Sequence, residues 1–175
     1  MEGRASESDA TAGRGPPVRG HGVHIMMSSD SGRLSAEVVV VGGGPAGLTA
    51  AVALAGAGVP TVLVAAQSGG RDNRTTALFS SSVAALAAIG VWETCRADAA
   101  PLKTLRIVDD TGRLWRAPEV RFEAAEIGLE AFGWNIENRS LVAALEARSQ
   151  TLPALQRVKA DAAAVYIDDD GVTIG

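Results

Sequence analysis

The 175-residue sequence has one cysteine, two histidines and no basic block of five or more residues. Each scarcity excludes something. Cys95 has no second thiol to pair with, so neither an internal disulfide nor a thiolate metal cluster holds this fold, and the fold does not depend on an oxidising compartment. Such a cysteine reads as a buried, inert thiol. His21 and His24 fall in a polar N-terminal stretch and read as a solvated pair rather than metal ligands. There is no Ser-His-Asp set, paired-carboxylate site or metal-ligand spacing, so no catalytic side chain and no metal site is expected. Lys and Arg number 16 against 20 Asp and Glu, a net charge of −4 with a pI near 5.2. That balance argues against a nucleic-acid partner and for small-molecule ligands.

Charge is also missing from Val38 to Gly70, a stretch whose hydropathy alone would pass for a membrane span. Gly42, Gly43, Gly44, Pro45, Gly47, Gly56, Gly58 and Pro60 divide it into pieces of strand and helix length, each too short to cross a bilayer as one helix. A central parallel strand, covered on both faces, is equally free of charge. Hydrophobic residues make up 47% of the chain, enough for one main core.

Residues 1–35 are of another composition, rich in Gly, Ser, Arg, Pro and Asp without apolar periodicity, and are expected to be a disordered tail or the product of a mis-assigned start. Four Arg and four acidic residues balance within residues 1–33, which fits neither an organelle transit peptide nor a secretion signal. Met26 or Met27 is the expected natural start. Residues 36–175 are the expected globular part.

That part opens on a βαβ unit. Val38–Val41 reads as a buried strand, Pro45 to about Ala57 as an Ala- and Leu-rich helix, and Thr61–Ala65 as a second β-branched strand. Between the first strand and the helix lies Gly42-x-Gly44-x-x-Gly47, filled by Gly43, Pro45 and Ala46. The first glycine makes the tight turn, the second lets the backbone approach a pyrophosphate, and the third lets helix and sheet pack closely. Amides at the helix start then face an anion. The fold class is therefore α/β with a Rossmann-like dinucleotide-binding unit. A carboxylate that would accept from an adenosine ribose is expected about twenty residues on, yet Ala65 ends the strand. Losing one charge-assisted hydrogen bond, about 1.5–3 kcal/mol, weakens a site whose nanomolar affinity needs about −12 kcal/mol without abolishing it. Gln67 or Asp72 offers a substitute acceptor; alternatively Arg71 and Arg74 accommodate the 2′-phosphate of NADP. The turn alone does not choose between flavin and nicotinamide.

After this unit, "RDNRTTALFSSSVAALAAIGVW" reads as a charged loop and a helix with Val83, Leu86, Ala87 and Ile89 on its apolar face, closed at Gly90. Arg74 stands just before it, either forking onto phosphate oxygens or as an exposed loop charge. Leu105–Val108 and Leu114–Ala117 flank "DDTG" and predict a hairpin. Trp115, Trp134 and Phe132 either line a substrate pocket or simply pack. Asn138 opens an amphipathic helix through Leu141 and Leu145 to about Ser149, as a plain N-cap or as a cofactor contact. "AVYIDDDGVTIG" is a final hairpin with no visible pairing neighbour.

Three stretches, "VVVVGGGPAGLTAAVALAGAGVPTVLV", "DNRTTAL" followed by "LAAIGVW", and "FGWNIENRSLVAALEAR", together resemble the N-terminal half of the ubiquinone-biosynthesis hydroxylases, FAD-dependent monooxygenases akin to p-hydroxybenzoate hydroxylase. The resemblance runs from Ala36 to Gly175 and implies part of an antiparallel, substrate-side sheet beside the FAD unit. It implies that Arg74 contacts the FAD phosphates and that Asn138 touches the flavin. Ala65 departs from the Glu usual at its position. It also implies an N-terminal portion of a longer, truncated or frameshifted enzyme, inactive alone and holding FAD poorly, with the rest of the FAD shell and the substrate cavity beyond residue 175. The implied reaction uses NAD(P)H and O2 to hydroxylate a small aromatic or prenylated ubiquinone precursor. The implied location is cytoplasmic, peripheral at the inner membrane surface, in association with a ubiquinone-biosynthesis complex. An NAD(P)-dependent Rossmann dehydrogenase, which the unpaired last hairpin disfavours, and a non-catalytic nucleotide-binding remnant are the alternatives.

Overall fold

The computed structural model describes residues 22–25, 34–66, 72–169 and 171–175. Strands β1 (Gly22–Ile25) and β2 (Leu34–Ala36) precede β3 (Val38–Val41), helix α1 (Pro45–Gly56) and β4 (Thr61–Val64). Next come β5 (Thr75–Phe79), α2 (Ser80–Ala88), the short α3 (Trp92–Cys95), β6 (Ala99–Leu102), β7 (Thr104–Ile107), β8 (Val120–Glu123) and β9 (Gly133–Glu137). Helix α4 (Asn138–Ser149), β10 (Leu155–Val158), β11 (Val165–Asp168) and β12 (Gly171–Ile174) complete the chain.

The βαβ unit forms as its sequence pattern predicts. β3, β4 and β10 make a parallel sheet in the order β10-β4-β3, with Val41 beside Val64 and Val64 beside Val158. β4 is buried along its whole length, and its residues alternate between two cores. Leu63 faces a large cluster with Leu48, Ala51 and Val52 of α1 and Leu141, Ala144 and Leu145 of α4. Val62 and Val64 face a smaller one with Val158 and Ile174. The period-2 side-chain alternation of a strand thus puts helices on one face and a second sheet on the other. That uncharged middle layer is why Val38–Gly70 reads like a membrane span; among the described residues no helix is long and apolar enough to cross one.

The second sheet has the order β11-β12-β1-β2. Its last hairpin is not unpaired: β12 runs parallel to β1, whose four residues lie inside the stretch expected to be a disordered tail. The expectation fails there because β1 supplies backbone hydrogen bonds on both sides, to β12 and to β2. Met26, Met27 and His21 lie outside the described residues.

A three-stranded antiparallel sheet, β5-β9-β6, stands beside the parallel one, as the resemblance implies, although the sequence pattern alone did not place its strands. It sends Leu78 and Ile136 into the main core, where Trp92 and the fully buried Cys95 also sit. Burial pushes the Cys95 thiol pKa up, as expected of an inert thiol.

The hairpin near residue 109 differs from expectation. β7 pairs with β8, Ile107 opposite Val120, rather than with 114–117. Two features set this register. Arg106 donates through Nε and Nη2 to Glu119, both at 2.8 Å, and the Thr104 hydroxyl donates to Glu123 at 2.8 Å. The Asp109 carboxylate meanwhile accepts from the amides of Thr111 and Ala117, both at 3.0 Å, which rounds residues 109–117 into a loop.

Candidate functional site

The carboxyl ends of β3, β4 and β10 open onto a groove of about 610 Å³. In an open α/β sheet this is where ligands bind. Gly42, Gly43, Gly44 and Pro45 form its floor together with Val41, Val64 and Ala65. Arg74 and Asn138 reach it from the β4–β5 connection and from the start of α4. Seven of the nine residues expected at the site therefore meet at one groove, while Ala46 and Gly47 sit just behind it in the first turn of α1.

Each glycine of the turn has a separate physical reason. Gly42 has φ +119°, a conformation closed to residues with a side chain. A Cβ on Gly47 would lie 2.1 Å from the Gly42 carbonyl oxygen, so only glycine lets α1 begin against the turn. Gly44 differs from both: its backbone is ordinary extended chain at φ −78°, ψ 175°, and a Cβ there would meet nothing within 4 Å. Gly44 keeps space open in the groove rather than relieving strain. Pro45 occupies the first helical position, where its missing N–H costs nothing. The first intrahelical bond runs from the Leu48 N–H to the Gly44 carbonyl at 3.0 Å. The amides of Ala46 and Gly47 lie ahead of it, without an intrahelical acceptor. A diphosphate fits such a cradle: backbone donors, a helix start and no side chain in the way.

Ala65 contributes only a methyl, directed at the turn, 2.9 Å from where a Gly43 Cβ would be. Its neighbours around the strand ends, Ala66, Ala160 and Ala162, add further single-carbon side chains to this side of the groove, with the Asp161 carboxylate between the last two. Gln67 and Arg71, considered above as substitute contacts, lie outside the described residues.

Asp72 is not the substitute ribose acceptor. Its Oδ1 accepts from the Arg74 amide at 3.0 Å and from Arg74 Nε at 2.9 Å. Its Oδ2 accepts from Arg74 Nη2 at 3.0 Å and from Asn138 Nδ2 at 3.0 Å. Four donors fill a carboxylate's acceptor capacity. The Arg74 guanidinium, then the Asn138 amide, holds the Asp72 carboxyl well below the usual carboxylate range. The lowered folded-state pKa gives stability that is present above the unfolded pKa, near 4, and is lost as pH falls toward the folded value. Wild-type protein should therefore lose stability on acidification below about pH 4 that an Asp72→Asn variant never had; parallel melts from pH 6 to pH 2.5 check this.

Asn138 is the first residue of α4, not its N-cap, and its side chain makes no capping bond. It is 7% exposed, donates to Asp72 and accepts from the Thr76 hydroxyl. The groove face of α4 then continues through Arg139, Val142, Ala143 and Glu146. These four were not singled out, although the Leu141 and Leu145 stripe implies a complementary face at the same helical spacing. Arg139 pairs with Glu137, and Glu146 accepts from Arg157 at 3.0 Å. The tryptophans do not line the groove. Trp134 packs edge-on against Trp92, ring centroids 5.8 Å apart, and Trp115 is 88% exposed on the loop before β8.

A family model described as an FAD binding domain matches residues 35–173. Among solved structures, the flavin-dependent monooxygenase PieE in complex with FAD and substrate is 26% identical, with a TM-score of 0.62 over 78% of this chain and 26% of its own. The p-nitrophenol 4-monooxygenase PnpA from Pseudomonas putida DLL-E4 is 23% identical with a TM-score of 0.60, over 78% of this chain and 34% of its own. OxyS anhydrotetracycline hydroxylase from Streptomyces rimosus is 24% identical with a TM-score of 0.59, over 78% and 27%. The last two bear on the fold alone. The chain thus spans about a quarter to a third of the length of these structures. No curated protein matches.

Proposed function

Because this chain belongs to the FAD-binding domain family, we propose that its groove holds the diphosphate of FAD and that it serves an FAD-dependent aromatic monooxygenase. The observation that carries the reading is the open cradle at Gly44, set between the strand ends and the first amides of α1. The Ala46 and Gly47 amides bind the diphosphate, Arg74 adds N–H donors from the far wall, and the Asn138 amide, oriented by Asp72 and Thr76, lies along the cofactor. Bound FAD would supply the redox chemistry, with NAD(P)H as reductant and O2 as co-substrate. The finer reading is hydroxylation of an aromatic, prenylated ubiquinone precursor, carried by the likeness of the "DNRTTAL" and "NIENRSL" stretches to that family. Such a substrate would place the enzyme at the cytoplasmic surface of the inner membrane, near other enzymes of the same pathway.

Titrating the purified chain into FAD and following flavin fluorescence tests the binding. Saturable quenching is expected, with a rise in the thermal midpoint by mass action. Binding by the chain alone is expected to be weak, so unchanged fluorescence in a longer protein that includes this chain is the result that would end the proposal. NAD(P)H oxidation stimulated by a prenylated phenol, in a longer protein that includes this chain, tests the finer reading.

Ala65 gives a second check with the opposite sign. An Ala65→Glu variant restores a ribose acceptor at the strand end without displacing any existing polar contact. FAD affinity should rise by about tenfold, the worth of one charge-assisted hydrogen bond. Unaltered or weaker affinity would show that the ribose does not lie beside Ala65.

A further inference from the structure

We propose that Asp72 is a positioning residue of this groove: it touches no ligand itself and holds the Arg74 guanidinium in register with the amide of Asn138, which lies 66 residues beyond Asp72 in the sequence. The inference rests on the FAD reading of the groove and adds to it the device that prepares the two side chains.

Saturation of Asp72 is the first support. With two donors on each oxygen, no lone pair remains for a cofactor hydroxyl, so the carboxylate acts only through its partners. Arg74 is the second. Its side chain is 81% exposed and would otherwise sample many rotamers, yet the two parallel bonds to Asp72 fix the plane of the guanidinium. Two of its five N–H donors are used, and three remain for phosphate oxygens. A fork held before the ligand arrives loses less freedom on binding.

Asn138 is the third. A carboxylate only accepts, so Asp72 dictates that the amide nitrogen of Asn138 points to it; the Thr76 hydroxyl then donates to the amide oxygen. The Asn138 backbone N–H donates to the Arg74 carbonyl at 3.0 Å, which ties the same two residues a second time. One short connection thus couples the start of α4 to the loop that carries the cation.

A double-mutant cycle in a longer protein that includes this chain, read as the FAD dissociation constant from fluorescence quenching at fixed ionic strength, tests this. Asp72→Asn and Arg74→Ala should each weaken FAD by about tenfold, the scale of one charge-assisted contact. The double variant should be weaker than Arg74→Ala by less than about threefold, because Asp72 acts chiefly through Arg74. Asp72→Glu keeps the charge and moves it by one methylene; it should also weaken FAD, and it replaces Asp72→Asn if that variant does not fold. Multiplying effects, near hundredfold in the double variant, would overturn the inference, and so would Asp72→Asn binding FAD as tightly as wild type or more tightly, the mark of a carboxylate that merely competes for Arg74. If wild-type protein binds no FAD, the reading of the groove fails and this inference falls with it. If wild type binds and the cycle is additive, the inference alone fails.

Discussion

A Gly44→Val variant should fold and lose FAD. The backbone at Gly44 is extended and open to any L residue, and a Cβ there meets nothing within 4 Å, so the protein accommodates the side chain. The cost to the fold is that of a poor N-cap, about 1 kcal/mol. The cost to the ligand is larger. A valine side chain occupies the space through which the diphosphate reaches the first amides of α1. Two charge-assisted bonds, about 1.5–3 kcal/mol each, are lost together, which weakens FAD by about 100-fold or more. Circular dichroism close to wild type, with no quenching of flavin fluorescence, is the expected pair of results. Tight FAD binding by this variant would mean that the diphosphate lies elsewhere.

Gly47→Ala should behave in the opposite way, although the change is smaller. The added methyl would be 2.1 Å from a backbone oxygen of Gly42, and a carbonyl in a tight turn cannot swing aside as the tip of a lysine can. Alanine gains up to about 1 kcal/mol over glycine as a helix former. Separating the turn from the helix to relieve the clash costs about 3 kcal/mol, at the upper end for overpacked sites. The net result is a thermal midpoint lowered by several degrees, at roughly 2–4 °C per kcal/mol for a chain of this size, together with weakened FAD binding. A melt indistinguishable from wild type would show that helix and turn have more slack than their contact allows. Fold kept with ligand lost at Gly44, and fold weakened at Gly47, together separate the cradle's two tasks.

Much of the site was legible because it is local. The glycine spacing, the β-branched runs on either side and the Pro at the helix start all lie within 27 residues of Val38–Val64 and are dictated by backbone sterics. Arg74 and Asn138 stand out by their places beside helix starts, the likeness to other flavoproteins favours cofactor contact for both, and both reach the groove. What the sequence did not show is how distant segments meet. Nothing in "DNRTTALF" says that Thr75–Phe79 will pair with a strand nearly 60 residues later, and without that pairing Asp72 has no reason to face Asn138. The β7–β8 register failed for a related reason: the nearest turn signal, "DDTG", lost to Glu119 and Glu123, whose partners Arg106 and Thr104 select a later strand. The Asn138 side chain was expected to cap its own helix or touch cofactor, and its burial against Asp72 and Thr76 settles its orientation before any ligand is present.

The alanine shelf beside the strand ends makes that wall of the groove unusually suited to redesign. Ala65, Ala66, Ala160 and Ala162 hold no ion pair and extend no further than one carbon. A larger residue at the exposed Ala66 or Ala160 subtracts nothing from the existing polar network, whereas Ala65 and Ala162 also pack against the two cores and Asp161 adds a carboxylate to the same wall. On the proposed placement of the adenosine end against this wall, preference among dinucleotides that differ there should be adjustable at Ala66 and Ala160, one side chain at a time, while Asp72 and the glycine turn are left alone.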